Sequence, residues 1–357
     1  MNRSLLHAAV RCGVLAFALS ATLIGGVAQA QTTKRIAVLM FNPRNYGTQW
    51  VTESAVRTAV WTGNQSANKY YQEESFGKWN LQGRLRVDGD VFGWYTVPYD
   101  NVGTCVRPEW ITAAKTMAAA QGFIQTNYDV LIYVSSATGC PGRAWTSGTI
   151  VTVVGGFNSP TVEHELGHAF GLAHASSWNC KDTAGAFVTM SASCVATEYG
   201  DYAVMGKTTS YHMNNFQKGA LGWLTASNTR TVTTNGVYAL YPIETATSQA
   251  QVLRIPRKID TSGNVTDYYY LESRQNVGFD NFGATSPYVT GVTIRVAPNY
   301  TYKGSKTFLL DATTPGTTGF GDAPLGVGRT FTDSTRRVSI TLVSVSNGVA
   351  QVRVDFF

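Results

Sequence analysis

Residues 161–174, TVEHELGHAFGLAH, constrain this chain more than any other stretch. His164 and His168 are four apart, so on a helix they share a face one turn apart. Glu165 stands next to the first of them. His174 comes six residues after His168, which on a continued helix would place it about 240° further round. A helix running through His174 would point that ring away from the other two. Gly171 lies between them, a residue that takes positive φ at little cost. The segment therefore predicts a helix, a sharp stop and a return.

Three imidazoles brought together in this way can hold one Zn²⁺ and leave a fourth position open, the arrangement of a catalytic zinc site. Glu165 then reaches water at the metal and can act as general base. His164, His168 and His174 are the expected metal ligands. Of the chain's other histidines, His7 and His212, the first falls in the leader described below. His212 is expected to be structural or on the surface.

Around this segment the periodicity is of mixed type. Residues 35–41, RIAVLMF, read as a buried strand, and 51–61 and 66–75 as helices, the first closing near Gly63. Residues 81–96 alternate about an Asp-Gly pair and read as a hairpin. A helix over 109–127 and a strand over 129–135 follow. Residues 149–155 read as a strand lying open beside the cleft, able to pair with extended peptide. Residues 211–224 read as the last helix. After about 226 only short alternating strands remain, separated by Gly, Pro, Asn and Thr. The expected organisation is a leader over 1–30, an α/β metal domain over 31–225 with a mixed sheet, and a β-rich, sandwich-like module over 226–357. Tyr268, Tyr269 and Tyr270 of that module are expected in its core rather than on a sugar-stacking face.

The leader has a basic start, an apolar stretch and a small-x-small end at Ala28-Gln29-Ala30. Cleavage after Ala30 and export are expected, with no stable membrane insertion. The first strand would follow directly, without room for an inhibitory pro-domain. Of the net charge of +6, Arg3 and Arg11 leave with the leader, and the remaining basic residues are scattered. That distribution argues against a nucleic-acid partner. Cys12 also leaves. The remaining Cys105, Cys140, Cys180 and Cys194 allow three disulfide pairings in an oxidising compartment. Neighbour pairing, Cys105–Cys140 and Cys180–Cys194, is the simplest. Asp201, Asp280 and Asp322 offer calcium ligands, but no EF-hand spacing assigns them, so calcium stays open.

The pattern HExxHxxGxxH with a later Met-containing turn resembles the metzincin clan of metallopeptidases. WNLQG, VFGWYTVP, VEHELGHAFGLAHA, EYGDYAVMG and FQKGALGWL resemble the gametolysin-like family in particular. So do YYYLESRQNVGFD and FLLDATTPG, so the likeness spans most of residues 35–357. It implies a zinc-dependent endopeptidase acting on protein or peptide, with Met205 as the residue beneath the metal. Some metzincins carry Tyr two residues after that Met. Here the position is Lys207, and the next tyrosine, Tyr211, receives no role. Two other readings compete: an adhesion or carbohydrate-binding protein, and an amidase for a nonprotein amide. The β-rich module would fit a supporting role in substrate or surface binding.

Overall fold

Residues 35–41 have no polar face, so a strand formed there must be covered on both sides. The computed structural model describes residues 31–207, 209–315 and 319–357, and in it this segment is the centre of a six-stranded sheet. The expected leader, residues 1–30, lies outside the described residues.

Strand β1 (Thr32–Pro43) pairs in parallel with β2 (Trp79–Gln82), β3 (Asp90–Val97) and β4 (Val130–Ser135). Beyond β4 come β5 (Ala144–Ser147) and β6 (Ile150–Val153), with β6 parallel to β4 and β5 antiparallel at the edge. Strand alternation divides the burial between two layers. Ile36, Val38 and Met40 pack with Tyr70, Tyr71, Val162 and Leu166. Ala37, Leu39 and Phe41 pack with Trp110, Ala114 and Ala118 on the other face. The helices are α1 (Glu53–Arg57), α2 (Ala67–Glu74), α3 (Pro108–Ala119) and α4 (Ser159–Ala169). Full burial of one such aliphatic side chain contributes about 1.5–3 kcal/mol.

Two expectations change here. Residues 81–96 form no hairpin, since β2 and β3 each pair in parallel with β1. The Asp-Gly segment belongs to a loop that the Asp90 carboxylate organises. It accepts the backbone N–H groups of Arg84, Leu85 and Arg86 at 2.5, 2.8 and 2.9 Å. The strand at 150–153 is likewise internal, because β5 covers it and forms the edge instead.

The β-rich remainder forms a sandwich. One sheet contains β7 (Ala175–Lys181), β8 (Phe187–Val188), β9 (Ser193–Thr197) and β10 (Thr229–Thr231). The antiparallel layer facing it begins with β11 (Gly236–Leu240). The first sheet continues with β12 (Val252–Ile259), β13 (Val265–Glu272), β14 (Thr293–Ala297) and β15 (Thr307–Leu310). The facing layer is completed by β16 (Thr330–Asp333), β17 (Val338–Ser346) and β18 (Val349–Phe356). Leu253, Ile255, Tyr269 and Leu271 meet Leu240, Ile340, Leu342 and Val352 between the two layers. Tyr269 and Tyr270 are fully buried, so neither presents a ring for stacking.

Residues 31–357 form one compact unit. β15 pairs in parallel with β7, so the larger sheet draws strands from both sides of residue 225. The change near 226 is thus a change of secondary structure within continuous packing. The helical stretch expected over 211–224 is short, α5 (Asn215–Ala220), capped reciprocally by Asn214 and Gln217. Just beyond it, Trp223 enters the α/β core, while Leu224 packs beside Phe216 against the larger sheet.

A fully buried charge network lies between these layers. Arg295 donates to Asp201 at 2.6 and 2.8 Å and to Glu272 at 2.9 Å. Arg274 pairs with Glu272 and Asp280 and donates to the carbonyls of Tyr202 and His212, both at 2.8 Å. Two of the acids that left calcium open, Asp201 and Asp280, are therefore held by arginines. His212 sits between Glu73 and Glu74 at 2.8 and 2.9 Å. Burial alone would lower its pKa. The charges of Glu74 and Asp280 and the bond to Glu73 outweigh burial and the opposing Lys218, raising it to about 10.

Two predictions follow from this network. Arg295→Ala leaves Asp201 buried without its cation and Glu272 with Arg274 alone, and should destabilise the protein by about 3–5 kcal/mol in urea unfolding. His212 has a folded pKa above its unfolded value, so its contribution is complete below about 6.5 and is lost as pH rises through about 10. The urea midpoints of wild type and His212→Gln should therefore lie furthest apart near pH 6 and converge towards pH 10.5.

Candidate metal centre

The helix that carries the motif is built to start and stop at fixed points. The Asn158 side chain caps its first turn by accepting from Thr161 N–H at 3.0 Å, and Pro160 lies in that turn. At the other end Gly171 has φ 97°. Gly171 N–H donates to His168 O at 2.9 Å, and Leu172 N–H donates to Gly167 O at 3.0 Å. These two bonds are the Schellman pattern, which closes the helix and turns the chain back. The helix ends at Ala169, and the reversal returns His174 to the other two rings.

The three rings converge through Nε2. His168 Nε2 is 3.1 Å from both His164 Nε2 and His174 Nε2. His164 Nδ1 lies 2.8 Å from the Val204 carbonyl, and His168 Nδ1 lies 2.9 Å from the Leu172 carbonyl. A carbonyl only accepts, so in the neutral rings these Nδ1 atoms hold the protons and Nε2 holds the lone pair. Burial, reinforced by the neighbouring imidazoles, pushes His164 down to about 4 against the Val204 bond, so it is neutral at pH 7. Burial also lowers His174. Lone pairs facing one another at such distances repel unless a cation lies between them. Zinc bonds of about 2.0–2.1 Å at tetrahedral angles place ligand nitrogens roughly 3.3 Å apart, close to the spacing seen. The residues fit the ion.

Met205 is fully buried under α4. A Cβ added at Gly167 would lie 2.3 Å from Met205 Sδ, so the helix rests on this methionine only because residue 167 has no side chain. The adjacent Val204 carbonyl is the one that holds His164. Lys207 follows on the same turn and lines the cleft. Tyr211 lies elsewhere, stacked on Phe282 at 4.7 Å, and His212 belongs to the buried network.

Three nearby residues went unnoticed in the sequence. Glu198 lies 3.5 Å from His174 Nδ1 and is also paired with Lys306. Tyr199 lines the cleft on both sides of the histidines, with its ring 5.0 Å from that of His174. Thr146, on edge strand β5, has Oγ1 2.6 Å from Glu165 Oε2 and 3.0 Å from the Glu165 carbonyl. Burial raises the Glu165 carboxyl above its ordinary value, opposed by the Thr146 bond and by His168. No spacing rule reaches these residues, since the first two sit on an irregular return and the third on another strand. Cys180–Cys194 closes the segment between His174 and Met205, and Cys105–Cys140 ties down the approach to β5. Closing a loop of about 15 residues contributes about 3 kcal/mol in the chain-entropy view.

The histidine cluster with its intervening Glu165 matches the metzincin zinc-binding motif. The spacing is that of the clan's catalytic motif and supports metalloendopeptidase activity. The chain matches no family model and no curated protein. One solved structure similar to part of it is described as a chaperone-substrate complex. The match covers 40% of this chain and 24% of that chain, at 18% identity and a TM-score of 0.26.

Glu198→Ala frees the outer nitrogen of His174. Loss of such a partner costs 10–100-fold in metal affinity as a rule. Glu198 is half exposed and shared with Lys306, so we expect about tenfold, the low end, in zinc competition against a chelator.

Proposed function

We propose that this chain is a secreted, zinc-dependent endopeptidase of the gametolysin-like family. The observation that carries the reading is the convergence of three Nε2 lone pairs beside a carboxylate, in a cleft bounded by a sheet edge. Zinc held there supplies Lewis acidity towards a carbonyl oxygen and lowers the pKa of water.

The chain's own residues supply the rest. Glu165 accepts the proton of the attacking water and later holds it for the leaving amine. Thr146 orients that carboxylate through Oε2 and ties it to edge strand β5. An extended substrate backbone pairing with the free edge of β5 would therefore be aligned by the strand that positions the base. Main-chain pairing suits protein substrates, because every peptide offers it. The Val204 carbonyl holds His164, and Met205 supports the same helix at Gly167.

Export is supported by the leader-like residues 1–30 and by two disulfides, which persist in oxidising compartments. Among the described residues no helix is long and apolar enough to cross a membrane.

Glu165→Gln keeps the shape of the side chain and removes the base. Cleavage of an unfolded protein should fall by about 10²–10⁴-fold while bound zinc, measured by metal analysis, stays near one per chain. A chelator should abolish wild-type cleavage, and added zinc should restore it. Undiminished cleavage by the zinc-loaded variant would remove Glu165 from the mechanism. Hydrolysis of cell-wall amides with no cleavage of protein would replace the peptidase reading by an amidase.

A further inference from the structure

The cleft is electrically lopsided. On one side of His164 and Glu165 it is lined by Arg143, Gly155, Gly156, Asn158 and Lys207. On the other side, towards His168 and His174, it is lined by Trp145, Thr146, Gly148, Leu172 and Tyr199, with no lysine or arginine. Among the described residues Glu165 is the only carboxylate lining the first side, and it belongs to the candidate metal centre.

The two cations come from opposite walls. Arg143 leads into β5, and its carbonyl accepts Val154 N–H at 2.8 Å. Its side chain lies across Gly155 and Gly156, with Nη1 3.9 Å from where a Cβ of Gly156 would be. Lys207 is carried on the Met205 turn, with Nζ 3.9 Å from the centre of the Tyr202 ring. The ion pairs among the described residues include neither Arg143 nor Lys207. Arg143 and Lys207 thus both line one recess beside His164 and Glu165, and among the described residues neither has a carboxylate partner.

We propose that Arg143 and Lys207 select an acidic side chain, aspartate or glutamate, at a substrate position flanking the scissile bond. The proposal rests on the peptidase reading and adds a substrate class to it. A guanidinium can take a carboxylate through two parallel N–H donors, and the ammonium approaches it as a point charge from the facing wall. A lysine or arginine in the same recess meets two like charges, so the site rejects as well as attracts. The backbone bonds to β5 are indifferent to side chains, which leaves this recess to discriminate.

The test is cleavage-site profiling of a mixed peptide library by the zinc-loaded protein, followed by kcat/KM for a matched pair of peptides. One peptide carries glutamate at the flanking position and the other carries lysine. Wild type should enrich Asp and Glu at one flanking position and favour the glutamate peptide by about tenfold or more, as expected of charge pairs partly screened by solvent. Arg143→Glu with Lys207→Glu should invert the ratio. Arg143→Gln with Lys207→Gln should bring it near one, and this milder pair provides the readout if charge reversal impairs folding. Cleavage with no acidic enrichment, or a ratio unchanged in the variants, would overturn the proposal and leave the peptidase reading standing. Absence of any peptide cleavage by zinc-loaded wild type would overturn both.

Discussion

Arg295 and Asp201 meet through two hydrogen bonds with both groups fully buried, and the architecture of the centre depends on that pair. Bringing two charges out of water costs several kcal/mol each, which only good geometry and further partners can offset. Glu272 supplies one such partner, and Arg274 extends the set to Asp280 and to the carbonyls of Tyr202 and His212. Glu272 and Arg295 sit on the β-rich layer, Arg274 and Asp280 on the loop that follows β13, and Asp201, Tyr202 and His212 on the segment that leads to and from Met205. That segment carries Val204, Met205 and Lys207. The sandwich therefore helps to fix the floor of the metal site through polar contacts, beside the apolar packing of Val204 and Met205 in the α/β core.

The centre was legible in the sequence because its logic is local. The i, i+4 spacing places two imidazoles on one face, and a glycine at the helix stop is needed for the third. Each statement involves fewer than a dozen consecutive residues. The buried strand at 35–41 and the β-rich tail were legible for the same reason, since periodicity reports what each residue faces. The hairpin expected over 81–96 fails because alternation and Asp-Gly say nothing about which strand is the partner. β1 offered a longer apolar surface than β2 and β3 offered each other. The edge at β5 was missed because Ala144–Ser147 is only four residues long and lacks an apolar run.

Glu198, Thr146 and Tyr199 show a different limit. Each matters through one atom placed near the histidines by tertiary packing, and none lies at a fixed offset from the motif. Glu198 is separated from His174 by a disulfide-closed loop, and Thr146 arrives from the preceding strand pair. The buried arginines are also invisible locally. Their sequence context, YYYLESRQ and VTIRVA, reads as ordinary strand, while their partners lie as far away as Asp201.

The parallel pairing of β15 with β7 carries a consequence for the order of assembly. β7 starts at Ala175, the residue after His174, and its partner Thr307 lies about 130 residues further along the chain. Contacts of such long sequence separation form slowly, because the intervening chain must first lose its freedom. A ribosome delivers the motif helix long before it delivers β15. The third imidazole is therefore anchored on a strand whose neighbour emerges much later than the motif itself. Catalytic competence is coupled to the arrival of β15, and a chain cut before that strand carries the motif without the partner that steadies β7.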